Sequence, residues 1–302
     1  MDRIRKALDR ARAERIHAHE LDVASAVVPA RPPEPVRASV EAIEASVEPM
    51  GAIIEPFVRS SEFAAPLAPQ SIVYTRTRVF TPDPDVLERN RIINPTSTEP
   101  AASAFRMLRT QVSQRMDANG WRSLAIFSPG REDGKTTTAI NLAVSLAAGR
   151  LHTVLLVDFD FQQPMIANRL GLAPEHGADD VLLGAAELED CLYHPEAYDR
   201  LVILPARASL ANSSEILAGP SGRALASEIR ARYPERIIVY DLPPVLSADD
   251  ALSFAPLVEC GLVVAAEGQT RRNDLVRTIE LLAKTSLLGT VLNRASDAPK
   301  GY

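Results

Sequence analysis

Between residues 123 and 292, short apolar runs alternate with helix-patterned segments. No other feature of the chain limits its fold as strongly. A run such as Ile237-Ile238-Val239 offers no polar face to solvent, so it suits a strand covered on both sides. Strands of that kind separated by helices predict an α/β fold, a mostly parallel central sheet flanked by helices. The pattern predicts helix 99–117, strand 123–127, helix 135–148 and strands 153–157 and 201–204. A helix then opens at Asn212-Ser213-Ser214-Glu215, a capping-box pattern. Strand 236–240, a helix after Ser247, strand 261–265, helix 273–283 and strand 288–292 complete the series.

The preceding residues read differently. Ile4, Ala7, Leu8, Ala11 and Ile16 recur at helical spacing, so 1–24 is either a solvated helix or a docking element. From 25 to 97 the expectation is a proline-rich, largely disordered linker. Of 23 prolines, 12 lie between Pro29 and Pro100, and they remove backbone donors and block regular ladders. Residues 98–302 are then the globular domain with a short C-terminal tail. A net charge of -6 argues against bulk nucleic-acid binding. Cys191 and Cys260 sit in apolar stretches, which suits packed, reduced thiols. His17, His19, His152, His176 and His194 share no metal-ligand spacing with them, so no zinc site is expected. No apolar run reaches membrane-spanning length, and residues 1–17 lack an apolar signal core. The expected location is the cytoplasm, with any membrane link made through a partner.

The chemistry concentrates in Ser128-Pro129-Gly130-Arg131-Glu132-Asp133-Gly134-Lys135-Thr136-Thr137, which joins a predicted strand to a predicted helix. A tight loop of this kind turns backbone N–H groups toward phosphate oxygens, and the helix N-terminus adds partial positive charge. Lys135 supplies a point charge for the β- and γ-phosphates, and the Thr136 hydroxyl is a ligand for Mg²⁺. The loop departs from GxxxxGK[ST], because Pro129 holds the first position and Gly130 follows it. Two more segments support a P-loop nucleotide site. Leu155-Leu156-Val157-Asp158-Phe159-Asp160 ends one apolar strand in two carboxylates, and Ile237-Ile238-Val239-Tyr240-Asp241 ends another in a third. Strand carboxyl ends form the ligand edge of open α/β sheets, so these groups suit Mg²⁺ directly or through water.

Taken together, these motifs resemble the bacterial tyrosine autokinases of capsule and exopolysaccharide synthesis. The matching stretches are the Walker A loop at 128–137, the second phosphate motif at 155–164 and the Walker B strand at 237–244. The helix Ala104-Phe105-Arg106-Met107-Leu108-Arg109-Thr110 is similar to the family's arginine-bearing helix, and Arg3-Ile4-Arg5-Lys6-Ala7-Leu8 to the start of its cytoplasmic kinases. The resemblance implies ATP and Mg²⁺ as cofactors. It implies Lys135 and Thr136 on phosphate and metal, Asp160 and Asp241 supporting the metal, and Asp158 orienting or deprotonating the incoming tyrosine. Asn293 would contact the base, while Gly130 to Thr137 would cradle the phosphates. Tyr302 is the candidate phosphoacceptor. The implied partners are a membrane chain-length determinant protein and further copies of the chain.

Four departures accompany the resemblance. Gln162-Gln163 stands where the second phosphate motif usually has a basic residue, and Ser103 replaces a glutamate in the helix motif. Glu132 and Asp133 put two acidic groups in the phosphate loop, where repulsion is expected. A single tyrosine stands where the family has a cluster. The alternative is a non-kinase or degenerate-kinase ATP-binding or ATPase switch that acts as a scaffold in the same pathway. Gly130, at the place where positioning ATPases carry a second lysine, argues against that particular class. No further acid/base constellation points to a metabolic enzyme, and Arg271-Arg272-Asn273-Asp274 reads as a solvated helix start.

Overall fold

The computed structural model describes residues 76–149 and 151–296. The expectations for 1–24, for 25–75 and for Tyr302 lie outside the described residues. Within them the chain runs β1 (Arg78–Phe80), α1 (Pro84–Arg89), α2 (Pro100–Asn119), β2 (Ser123–Phe127), α3 (Lys135–Ala148), β3 (Thr153–Asp158), α4 (Ile166–Leu170) and α5 (Ala178–Leu182). It continues through β4 (Tyr193–Pro195), β5 (Leu201–Leu204), α6 (Ser213–Ala218), α7 (Pro220–Arg232), β6 (Arg236–Asp241), α8 (Asp250–Phe254), β7 (Cys260–Ala266), α9 (Arg272–Leu281) and β8 (Leu287–Asn293).

The strands form one eight-stranded sheet in the order β1-β4-β5-β3-β6-β2-β7-β8. Every pairing is parallel except β4 with β5. The expected α/β class therefore holds. Each central strand divides its apolar residues between two cores. Ala125, Phe127, Leu155, Val157, Ile238 and Tyr240 face one, and Leu124, Ile126, Val154, Leu156, Ile237 and Val239 face the other. Burial on both faces explains why these runs lack alternation.

The order β3-β6-β2 places the carboxyl ends of three strands side by side. In register, Asp158 stands opposite Asp241, and Asp241 opposite Ile126. Helix α3 starts directly from the loop after β2 and is buried along most of its length. Helix α2 covers its outer side, where the Arg109 guanidinium donates to Ser145 O at 3.1 Å and Ser145 Oγ donates to Phe105 O at 3.1 Å.

Two expectations are corrected. The linker was expected to run to residue 97, but 78–93 belongs to the fold. Asp83 caps α1 by accepting from Asp85 N at 2.9 Å, and Pro84 follows at the first helical turn. Ile92 and Ile93 are buried in the α3 side of the core. Buried Asn141 of α3 holds this segment, donating to Arg91 O at 2.9 Å and accepting from Ile93 N at 3.0 Å. Proline density conceals this anchoring because the partner lies about fifty residues away in sequence. The second correction concerns the capping box at Asn212. That residue adopts a left-handed φ of 58° and makes no side-chain cap. The next residue, Ser213, donates its hydroxyl to Asp250.

Asn141→Ala is expected to lower unfolding free energy by about 2–3 kcal/mol, because it strands a buried donor and a buried acceptor. It should also expose 76–93 to protease. Urea titration and limited proteolysis test this, and an unchanged midpoint together with intact protection would show that the segment is held by other contacts.

Candidate functional site

The loop from Ser128 to Gly134 is clamped at almost every residue. Ser128 Oγ donates to Gly130 O at 2.9 Å, and Gly130 N donates to Asp133 Oδ2 at 2.8 Å. Thr270 Oγ1 donates to Asp133 Oδ1 at 2.6 Å, and Gln269 Nε2 to Arg131 O at 3.1 Å. From the end of β8, Asn293 Nδ2 donates to Asp133 O at 3.0 Å and the Arg294 guanidinium to Glu132 O at 2.8 Å. Glu132 is held at a φ of 63°. Gly134 has a φ of 89°, and a Cβ there would lie 1.8 Å from Asn293 Nδ2, so only glycine lets the loop and β8 approach this closely.

This arrangement revises the reading of Asp133. Its carboxylate is 2% exposed and cross-braces the loop, so it does not stand beside the phosphates as a repulsive charge. Glu132 does line the cleft. Asn293 also lines it, with Nδ2 on Asp133 O and Oδ1 accepting from Arg294 N at 2.9 Å.

At the carboxyl ends of β3 and β6 the charge is concentrated. Lys135 Nζ donates to Asp241 Oδ1 at 2.5 Å and to Asp160 Oδ2 at 3.4 Å, with the lysine only 6% exposed. Burial alone pulls the lysine's pKa down, but Asp241, then Asp160 and Asp158, outweigh it and hold the pKa above its ordinary value. Asp158 is raised well above the usual aspartate range, by burial first and by the charge of Asp241 second. Its neighbour Asp160 is raised as well, chiefly by burial and against the pull of Lys135. Lys135 bonds only Oδ1 of Asp241, and the other carboxylate oxygen, Oδ2, is buried without a partner.

Asp158 and Asp160 are separated by how the intervening aromatics pack. Phe159 and Phe161 are fully buried and meet Tyr240 and Phe254 in one aromatic cluster, with Phe159–Phe254 ring centroids 5.0 Å apart, edge to face. Anchoring both phenylalanines leaves Asp160 in the cleft and Asp158 beneath it. Asp158 accepts from Asp160 N at 3.2 Å, Met165 N at 3.1 Å and Ile166 N at 3.0 Å. Asp158, like Asp241, is fully buried and is not among the residues that line the cleft.

The cleft itself is about 840 Å³. Gly130, Arg131, Gly134, Lys135, Thr136, Thr137 and Asp160 line it as expected. Gln162 lines it too, and its Nε2 donates to Asp250 Oδ2 at 3.0 Å. Half-buried Arg106, on the helix that resembles the family's arginine-bearing helix, donates to Pro95 O, Ser97 O and Ser103 Oγ. Lining residues not anticipated from sequence include Arg89, Arg91, Arg169 and Arg294. The Asp83-Pro84 helix start with Arg89 in its last turn was the available signal.

The residues present fit Mg²⁺. Asp241 Oδ2 is a hard oxygen donor buried without a partner, and Thr136 and Asp160, whose side chains carry further oxygen donors, line the cleft.

Comparison with known proteins agrees with this geometry. The AAA domain family model matches residues 130–286. Over 212 residues the chain is 29% identical to Tyrosine-protein kinase YwqD of Bacillus subtilis (strain 168), covering 68% of this chain and 86% of that protein. It is 30% identical over 211 residues to the Succinoglycan biosynthesis transport protein ExoP of Rhizobium meliloti (strain 1021), covering 68% of this chain but only 26% of ExoP. Among solved structures, the VpsO kinase domain is 30% identical with a TM-score of 0.57, covering 63% of this chain and 95% of that one. The resemblance read from the motifs is thus supported by whole-domain similarity.

Lys135→Met is expected to destabilise the protein by about 3–5 kcal/mol, since it leaves buried carboxylates without their cation. Asp158 and Asp160 have raised folded pKa values, so each favours folding when protonated and loses that contribution as pH rises through its folded value. Removing the lysine enlarges both shifts. The deficit against the parent should therefore be smaller near about pH 5 than near about pH 8. Denaturant titrations at both values check this, and a deficit that does not change with pH would mean the carboxylates do not depend on Lys135.

Proposed function

The chain belongs to the AAA-domain family, and from that premise we propose that it is an ATP-dependent protein-tyrosine autokinase of exopolysaccharide or capsule biosynthesis. The observation that carries this reading is the meeting of a pre-shaped phosphate loop with Lys135 and the carboxylates of Asp160 and Asp241 at one sheet edge. Similarity over the same domain to YwqD and to the VpsO kinase domain supports the choice of reaction.

Phosphoryl transfer needs little covalent help from the protein, so positioning and charge compensation dominate. The Gly130–Thr137 backbone and the start of α3 bind the triphosphate of ATP. Lys135 carries positive charge to the β- and γ-phosphates as its hold on Asp241 is exchanged for theirs. Thr136, Asp160 and Asp241 hold Mg²⁺, which when bound neutralises developing phosphate charge. Asp160, the one strand-end carboxylate that lines the cleft, orients the acceptor hydroxyl. Asp158 is a positioning residue, folding 160–166 around its three backbone N–H bonds. Asn293 braces the loop and stands beside the nucleotide base.

The proposed setting is the inner face of the cell membrane, reached through a chain-length determinant partner, with further copies of the chain assembled there. Similarity to part of ExoP supports a polysaccharide-transport setting. Among the described residues no helix is long and apolar enough to cross a membrane. Tyr302 is the proposed acceptor.

The test is a phosphotyrosine assay on the full chain with ATP, Mg²⁺ and the cytoplasmic segment of the partner, mapped by mass spectrometry. Label on Tyr302 is expected, lost in Tyr302→Phe and reduced about 100-fold or more in Lys135→Met and Asp160→Asn. Label at another tyrosine would replace the acceptor. ATP bound without label in any condition would move the protein to a nucleotide-dependent switch.

A further inference from the structure

We propose that Arg89, Arg91 and Arg169 form an acceptor wall that takes tyrosine segments flanked by acidic residues; the inference rests on the kinase reading and concerns acceptors supplied by another protein, since Tyr302 follows Ala298-Pro299-Lys300-Gly301, which carries no acid. Sheet order separates the two sides of the cleft. Asn293 ends β8, on one side of the phosphate loop that follows β2, while Arg169 follows β3 on the other side. The arginines therefore share the side that carries Asp160, Gln162 and Met165.

The wall is built by tertiary contacts. Asn90 Nδ2 donates to Arg169 O at 3.0 Å, tying the end of α1 to α4. Arg91, held at a left-handed φ of 58°, is fixed through its carbonyl by Asn141. Val86 Cγ1 lies 3.4 Å from where a Cβ on Gly171 would sit, which packs α1 against the end of α4. These contacts bring three guanidinium groups to one cleft wall from two distant stretches of chain.

Their charge is uncommitted. No carboxylate pairs with any of the three among the described residues, and Arg169 Nε is buried without a partner. The nearby strand-end carboxylates are already occupied by Lys135. The loop that follows β3 brings Asp160, which Lys135 already pairs, together with uncharged Gln162, Gln163 and Met165 to this side. In a chain of net charge -6, an unpaired cationic wall is a local feature rather than a reflection of overall charge. Guanidinium groups match carboxylates in geometry and pair with them in bidentate fashion. Phosphate binding already has its own cation in Lys135, together with the loop N–H groups and the start of α3. Acidic side chains on either side of an incoming tyrosine would meet the arginines while the hydroxyl approaches Asp160.

The experiment measures peptide binding without turnover. The full chain, loaded with a non-hydrolysable ATP analogue and Mg²⁺, is titrated against fluorescent Glu-Glu-Tyr-Glu-Glu and its Gln-Gln-Tyr-Gln-Gln counterpart, using anisotropy. The acidic peptide is expected to bind at least about tenfold more tightly, with the preference shrinking as salt rises. The combined R89Q/R91Q/R169Q variant should abolish the preference while keeping analogue affinity within about twofold, and R169Q alone should reduce it; circular dichroism confirms the fold of each. Equal binding of the two peptides would overturn the wall, as would a variant that loses the analogue but keeps the peptide preference. Preferential binding with no phosphoryl transfer to either peptide would retain the wall and remove the kinase reading. Transfer to both peptides at equal rates with no difference in binding would do the reverse.

Discussion

One buried cation between strand-end carboxylates governs the centre of this protein. Lys135 is removed from water, a position that disfavours its charge, and it remains charged because Asp241 and Asp160 bond to it. The dependence runs both ways, because the same carboxylates repel one another across the paired ends of β3 and β6. Removing either partner leaves a buried charge uncompensated, which is a larger effect than losing an exposed ion pair. The cluster also sets the chemistry. A nucleotide that draws Lys135 onto its phosphates must bring replacement positive charge for Asp241, and a divalent cation does that. The buried, partnerless Oδ2 of Asp241 marks where the compensation is incomplete without it.

Around this cluster the protein invests in rigidity. Glu132 and Gly134 both have positive φ, and side chains from the β7–α9 connection and the end of β8 fix the loop carbonyls. A loop shaped beforehand needs little rearrangement when charge develops on a phosphoryl group, which is where such sites gain most. Asp133 illustrates the point, because a carboxylate that would repel phosphate if exposed serves instead as a cross-brace. The aromatic cluster of Phe159, Phe161, Tyr240 and Phe254 works similarly from below, fixing which of two nearby aspartates reaches the cleft.

The segment before the first helix of the P-loop domain is part of the same machinery. It docks through Ile92, Ile93 and the two hydrogen bonds of Asn141, and Asn141 lies on the helix that begins with Lys135. Arg89 and Arg91 thereby reach the cleft from outside the region where the phosphate motifs are found. Cationic side chains supplied by this segment and by α4 stand on the wall where the loop after β3 has two glutamines.

The sequence by itself determined the α/β class, the bounds of β2, α3 and β5, and the phosphate loop with its strand-end aspartates. These features are local. A strand buried on both faces must be apolar throughout, and a glycine-lysine-threonine turn into a helix carries its phosphate chemistry in its own backbone. Tertiary structure alone decided that 78–93 joins the fold, that Asn212 makes no side-chain cap while Ser213 bonds Asp250, and that Asp133 and Asp158 are buried while Asp160 lines the cleft. Each of those outcomes depends on a partner far away in the chain, such as Asn141, Asp250, Thr270 or Phe254. Burial and pairing are properties of what surrounds a side chain, and residue spacing does not encode those surroundings.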